Sequence, residues 1–316
     1  MTLYPRVVPR WHLLESIPEE RRLFRVTPDT QILGLCHWQS RPRECPTLLL
    51  VHGLEGCHDS QYMRGTADKA YRAGCNVIRL NQRNCGDTEH LTPRLYNNGL
   101  SEDVRAVLDE LLLKDGLLGV WAIGWSMGGN LVLKMAGEAE NSVPGLLGVI
   151  GICPTIDPET CVRALEQPEN RLYEHHFVTR LKALLTKKAH LYPERYSARP
   201  LRRITRLREI DHAYTAPDAG FQNAEEYYDG AGARHILDRI RVPTAIITAQ
   251  DDPFVPFSIF TTRAIRENPA ISLLGPEHGG HCAFIQQRRP GEDRHWAEHR
   301  IVALVTGQET WPPHFD

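Results

Sequence analysis

A serine set between glycines, where an apolar strand-like run gives way to a helical pattern, constrains this chain most. Residues 119–124 (GVWAIG) read as a strand, Gly124-Trp125-Ser126-Met127-Gly128 matches G-x-S-x-G, and a helix follows from about Gly128. A strand-to-helix turn this tight needs small neighbours, hence glycine on both sides. It holds the Ser126 Oγ clear of the backbone at a helix N-terminus, where the dipole favours a developing anion. The bland alternative is a chance match in a glycine-containing turn. The flanking strand, the following helix and the further glycine, Gly129, argue against it.

Such a turn presupposes a sheet, and the surrounding sequence supplies one. Residues 47–52 (TLLLVH) form a continuous apolar run typical of a strand buried on both faces. A helix is expected over 62–73 and a strand over 76–80 (NVIRL). Ser101 is expected to cap a helix whose Val104, Leu108, Leu111 and Leu112 follow the 3.6 period, and 146–152 is the next strand. Upstream, 22–26 and 32–38 flank a T-P-D-T turn and predict an N-terminal hairpin. Strands alternating with helices imply βαβ units and a mostly parallel sheet flanked by helices. From about 155 to 235 the periodicity is helical, with no convincing core strand. The alternation resumes with 244–249 (TAIITA), a helix near 257–267, strand 271–274 and a last helix around 294–305. The expected fold class is therefore α/β: a core over 1–154, an inserted helical cap over 155–235, and the rest of the core over 236–316. Sites in open α/β sheets lie at the carboxyl ends of the strands, where such a cap would sit.

A serine hydroxyl is a poor nucleophile without an adjacent base. Strand 244–249 runs directly into Asp251 and Asp252, and a carboxylate just past a strand end suits the group that orients a base. After the next strand comes Pro276-Glu277-His278-Gly279-Gly280-His281, a glycine-flexed loop that delivers a histidine, leaving His278 and His281 as candidates. An oxyanion needs backbone N–H donors. One is expected from Met127, the other from Leu54 in His52-Gly53-Leu54-Glu55-Gly56, where Gly53 lets the chain turn inward. His52 itself reads as structural. A metal site built from His278, His281, Asp251 and Asp252 is a weaker reading, because no H-E-x-x-H or other ligand cluster appears. No metal and no cofactor is expected.

Bulk properties narrow the setting. A net charge of −2 gives no overall electrostatic reason to expect a nucleic-acid partner, and 41% hydrophobic residues can bury a full core. The eight cysteines are scattered with no C-x-x-C pair, so free thiols in a reducing compartment are expected. With no signal-peptide-like core at the N-terminus and no long apolar span, the expectation is a soluble cytoplasmic protein.

The residues also carry a resemblance. His52-Gly53-Leu54-Glu55-Gly56, Asn81-Gln82-Arg83-Asn84-Cys85-Gly86, Gly124 through Asn130 (GWSMGGN), Glu226-Tyr227-Tyr228, Asp251-Asp252-Pro253-Phe254 and His278-Gly279-Gly280-His281 resemble the α/β-hydrolase superfamily. More narrowly, they resemble its YheT-like branch, the fourth AB-hydrolase family, over about residues 20 to 310. The resemblance implies a carboxylic-ester hydrolase, with relatives that act on phospholipids or monoacylglycerols or transfer acyl groups to alcohols. It places the nucleophile on Ser126, the acid on Asp252 and the base on His281. The D-x-x-V-P pattern likewise selects Asp252 over Asp251. Asn84 departs from the branch, which usually carries glycine there, and Asp87-Thr88-Glu89-His90 has no assigned role.

The leading functional expectation is a carboxylesterase of short- to medium-chain acyl esters. Acyl transfer to alcohols is the runner-up, argued against by the lack of an H-x-x-x-x-D motif. A non-catalytic binding module is disfavoured because no triad member is lost. The expected partner is a small-molecule or lipid ester. Between Arg180 and Arg208 ten Lys/Arg face one acid, Glu194. The basic cap is thus a candidate for peripheral contact with anionic lipid surfaces, through Arg202, Arg203, Arg206 and Arg208. Phe177, Leu181, Leu184, Leu185 and Leu191 fall at helical spacing and could line an acyl pocket.

Overall fold

The computed structural model describes residues 10, 13–139 and 143–309; the N-terminal stretch read above for a leader lies largely outside them. Eight strands form one sheet: β1 (Glu20–Thr27), β2 (Thr30–His37), β3 (Thr47–Val51), β4 (Asn76–Leu80), β5 (Val120–Trp125), β6 (Leu146–Ile152), β7 (Thr244–Ile247) and β8 (Ile271–Leu274). Their order is β1-β2-β4-β3-β5-β6-β7-β8. The predicted hairpin is present, with Phe24 opposite Ile32, and β2 joins β4 antiparallel. From β4 to β8 every pairing is parallel.

A parallel sheet is covered on both faces, which is why β3 and β4 are buried at every position. Alternate residues of β3 serve opposite layers. Leu48 and Leu50 pack with Met63, Ala67 and Ala70 of α1 (Gln61–Arg72). Leu49 and Val51 face the layer of α2 (Ser101–Asp109) and α3 (Met127–Glu138), through Val107, Leu108, Leu131 and Val132.

Two local expectations are corrected. Ser101 is the first residue of α2 rather than its cap, and its hydroxyl donates to Glu138 Oε2 at 2.5 Å, tying α2 to α3. The helix expected over 257–267 is broken into turns Phe257–Phe260 and Arg263–Arg266. Between them both the N–H and the hydroxyl of Thr261 bond the Ser258 carbonyl, at 3.2 and 2.9 Å, offering the backbone an alternative to continuing the helix.

Between β6 and β7 the described chain is helical: α4 (Pro158–Leu165), α5 (Arg171–Leu191), α6 (Leu207–Ile210) and α7 (Ala224–Ala231) are its labelled helices. Asp157 and Asn223 cap α4 and α7 through the Thr160 and Glu226 N–H groups. Here the basic run behaves differently from its sequence count. Arg206 pairs with Glu174, and Arg208 with Glu159, Glu166 and Glu225. Arg195 pairs with Asp218, and Arg180 with Glu55. Lys187 reaches Glu89 at 2.8 Å and Asp87 at 3.5 Å, so the stretch without an assigned role docks α5 onto the core. Of the four arginines expected to meet a lipid surface, Arg206 and Arg208 are therefore held inside the protein's own ion pairs.

Candidate active site

The turn from β5 into α3 puts Ser126 at φ 53°, ψ −118°, a strained conformation for a non-glycine residue. The surroundings impose it. A Cβ on Gly124 would run into the Gly128 carbonyl, and one on Gly128 into the Val51 carbonyl of β3. The Ser126 N–H donates to the Ile152 carbonyl of β6 at 2.7 Å, pinning the turn to the neighbouring strand.

That carbonyl also receives the thiol of Cys282 at 3.9 Å, so the loop bearing His281 closes over the end of β6 beside the serine turn. The His281 Nδ1 meets Asp252 Oδ2 at 2.8 Å, with the carboxyl fully buried. Asp252 Oδ1 accepts the N–H groups of Phe254 and Val255 at 3.1 and 3.0 Å. Pro253 restricts the backbone between them. Burial disfavours the imidazolium, but the Asp252 carboxylate, with a smaller contribution from Cys153, outweighs it and holds the His281 ring above the usual imidazole range. Phe254 lies against the ring, centroids 4.2 Å apart, and also meets the rings of Tyr173 and Phe177 of α5.

The second carboxylate and the second histidine sit apart from this pair. Asp251 Oδ1 accepts from the Gly279 and Gly280 N–H groups at 2.8 and 2.7 Å, shaping the loop that carries His281. Burial opposes its ionisation, yet these bonds and His278 hold its carboxyl below the ordinary range. His278 is 73% exposed and lies 3.4 Å from Asp251. The metal grouping weighed from sequence is thus not assembled. A different one is: Cys153, His281 and Cys282 bring one ligand atom each within 4.8 Å of one another. A thiophilic metal held there would engage the His281 imidazole, so occupancy and a role for His281 as a base exclude each other. Nothing in the spacing of 153 and 282 signals this cluster; the β6 end and the histidine loop meet only in the fold.

Leu54 and Met127 both line the cavity that Ser126 opens into, and Met127 begins α3, where N–H groups have no intrahelical partner. Behind Leu54, His52 Nε2 accepts the Gln82 N–H at 3.1 Å, so Nδ1 carries the proton and donates to the Gly53 carbonyl at 2.7 Å. Burial pushes this ring down to about 4, and it stays neutral and structural. The loop after β4 buttresses the same turn. Asn84 stands at φ 65°, the left-handed region that favours glycine and that asparagine tolerates, which explains its place where the branch usually has glycine. Arg83 grips Asp103 of α2 through two bonds of 2.6 Å, both partners buried. Asp103→Ala would strand the guanidinium. A loss of about 3–5 kcal/mol of unfolding free energy is expected in denaturant titrations; a loss below about 1 kcal/mol would show the pair is not a structural tie.

The cavity holds about 110 Å³ and is walled by core and cap together. Phe177 and Leu181 of α5 line it, as the apolar spacing suggested. Leu184 instead faces a separate groove near Cys57 and Asp87, Leu185 packs in the core, and Leu191 is 48% exposed.

Comparison with known proteins bears on the family and the fold. A family model described as alpha/beta hydrolase fold matches residues 46–287. The protein named Putative esterase YheT of Escherichia coli (strain K12) is 30% identical over 96% of this chain and 89% of its own. The phospholipase ABHD3 of Mus musculus is 27% identical over 76% of this chain, which spans 59% of that protein. Among solved structures, a 2,6-dihydroxy-pseudo-oxynicotine hydrolase aligns at TM-score 0.63 over 96% of this chain and 72% of its own, with 18% identity.

Proposed function

This chain belongs to the alpha/beta hydrolase family, in its YheT-like branch, and from that premise we propose that it cleaves carboxylic esters through Ser126, His281 and Asp252. His281 takes the proton of the Ser126 Oγ as that oxygen attacks the ester carbonyl. The resulting oxyanion faces the N–H groups of Leu54 and Met127. As the tetrahedral intermediate collapses, His281 returns the proton to the leaving alcohol, and an acyl-Ser126 remains. Water activated by the same imidazole then releases the acid. Asp252 fixes the ring and stabilises the imidazolium. The observation that carries the reading is the 2.8 Å bond from His281 to a fully buried Asp252, on a loop that shares the Ile152 carbonyl with the strained Ser126 turn.

The cavity supports a chain-length assignment. Its volume and apolar walls, Val162, Leu165, Phe177, Leu181 and Leu207 among them, support short- to medium-chain esters of small molecules. A panel of acyl esters from acetyl to palmitoyl, read as kcat/KM, tests this, with the maximum expected at or below medium length. A maximum at palmitoyl would overturn the chain-length assignment. Acyl transfer shares the first half-reaction, and adding a primary alcohol at saturating ester separates the two. Free acid is expected as the main product, and an alcohol ester as main product would make this a transferase. Among the described residues no helix is long and apolar enough to cross a membrane.

A further inference from the structure

Glu226-Tyr227-Tyr228, singled out in the sequence, has no part in the chemistry above, yet both tyrosines stand on the wall of the same cavity as Ser126. Beside them is Asp211, which lies just after α6 and is 8% exposed. The Tyr228 hydroxyl donates to Asp211 Oδ2 at 2.7 Å, and the Thr215 hydroxyl faces the same carboxyl. Tyr227 keeps its hydroxyl oxygen on the Asn98 N–H at 2.9 Å. Asp211, Thr215 and Asn98 line the cavity as well.

A carboxyl placed in a largely apolar cavity is costly unless hydrogen-bonded or paired. Arg208, whose charge acts on this carboxyl, makes no ion pair with it. That guanidinium sits over the Tyr228 ring, 5.3 Å from its centroid, and is engaged by Glu159, Glu166 and Glu225. Burial accordingly pushes the Asp211 carboxyl up to about 6. A carboxylate offers about four acceptor positions, and two hydroxyls do not fill them. The remaining capacity is open to a donor from whatever enters the cavity.

We propose that Asp211, supported by Tyr228, forms a subsite for a hydroxyl of the substrate, so that the preferred esters carry a free hydroxyl on the part that enters the cap. The inference rests on the ester-hydrolase reading of this cavity and adds the substrate class to it. A hydroxyl donating to the buried carboxyl discriminates strongly against an analogue that lacks it, because the carboxyl is then left short of a partner.

Two matched pairs of esters test it: an omega-hydroxyacyl ester against the unsubstituted acyl ester of equal length, and a hydroxyalkyl ester against the plain alkyl ester. In the wild-type protein one pair is expected to show at least about tenfold higher kcat/KM for the hydroxylated member, which also tells which half of the ester meets Asp211. Asp211→Leu is expected to bring that ratio to about one, and Asp211→Asn, which keeps the shape, to lower it severalfold. A wild-type ratio near one in both pairs overturns the subsite, whatever the variants do. So does a preference that survives both substitutions. Turnover of the unsubstituted esters, lost in Ser126→Ala, tests the hydrolase reading separately; no turnover of any ester would remove the ground on which the subsite stands.

Discussion

Replacing Ser126 by alanine is expected to leave the protein folded and to lower kcat for ester hydrolysis by about 10⁴–10⁶-fold. The ties that hold the turn are backbone ties. The 126 N–H still reaches the Ile152 carbonyl, Gly124 still lets the start of α3 pass close to it, and Gly128 still passes close to the end of β3. Only the Oγ is lost from the cavity wall. Melting temperature and circular dichroism report the fold, and labelling by a fluorophosphonate should vanish along with turnover. A folded Ser126→Ala protein with wild-type turnover would defeat the assignment of the nucleophile.

The second large effect is expected at Asp252. Its Oδ1 is claimed by the Phe254 and Val255 N–H groups, so an asparagine there must keep its oxygen toward them and turn its amide NH₂ toward His281. The Nδ1 would then have to accept, the proton would move to Nε2, and the ring could no longer take a proton from serine. A loss of about 10⁴-fold in kcat is expected for Asp252→Asn. Asp251→Asn keeps an acceptor for Gly279 and Gly280 and should cost far less. The reverse ranking would show that the orienting acid is Asp251. The pH profile adds a readout that a merely structural role would not move. His281 works as a base when neutral, and Asp252 holds its pKa up against the opposing pull of burial. The acid limb of kcat/KM should therefore lie above the ordinary imidazole value of about 6.5, with activity falling as pH drops through it. In Asp252→Asn the residual activity should have that limb displaced downward, since the carboxylate that most opposes the pull of burial is gone.

The alternation of apolar runs and helical periods carried the architecture because each signal is local. A strand buried on both faces is largely apolar, as Leu48–Val51 of β3 are, and the polar Asn76 and Arg79 of β4 are buried only with partners, Thr47 and Glu19. A nucleophile turn must have glycine where chains pass too closely for a Cβ, as Gly124 and Gly128 do. The candidates Ser126, Asp251 or Asp252, and His278 or His281 could be picked from the sequence because each group follows a strand, and strand ends can be read from a short window; the choice of Asp252 and His281 within their pairs came from the D-x-x-V-P pattern and the family resemblance. The helix around 257–267 was misread because periodicity does not register Thr261 turning its own bonds back on Ser258.

What tertiary structure decided is which distant groups meet. A window from 180 to 208 reads as strongly basic, yet Glu159, Glu166, Glu174, Asp218 and Glu225 come from outside it to neutralise much of that charge. Asp211 and Tyr228, seventeen positions apart, join only because α7 folds back beside the turn after α6, and only the cap's packing puts them in the serine's cavity. Spacing along the chain determines a conformation through bonds that span a few residues. Coulomb energy and desolvation depend on distance and burial in space, and those exist only once the cap has closed over the sheet.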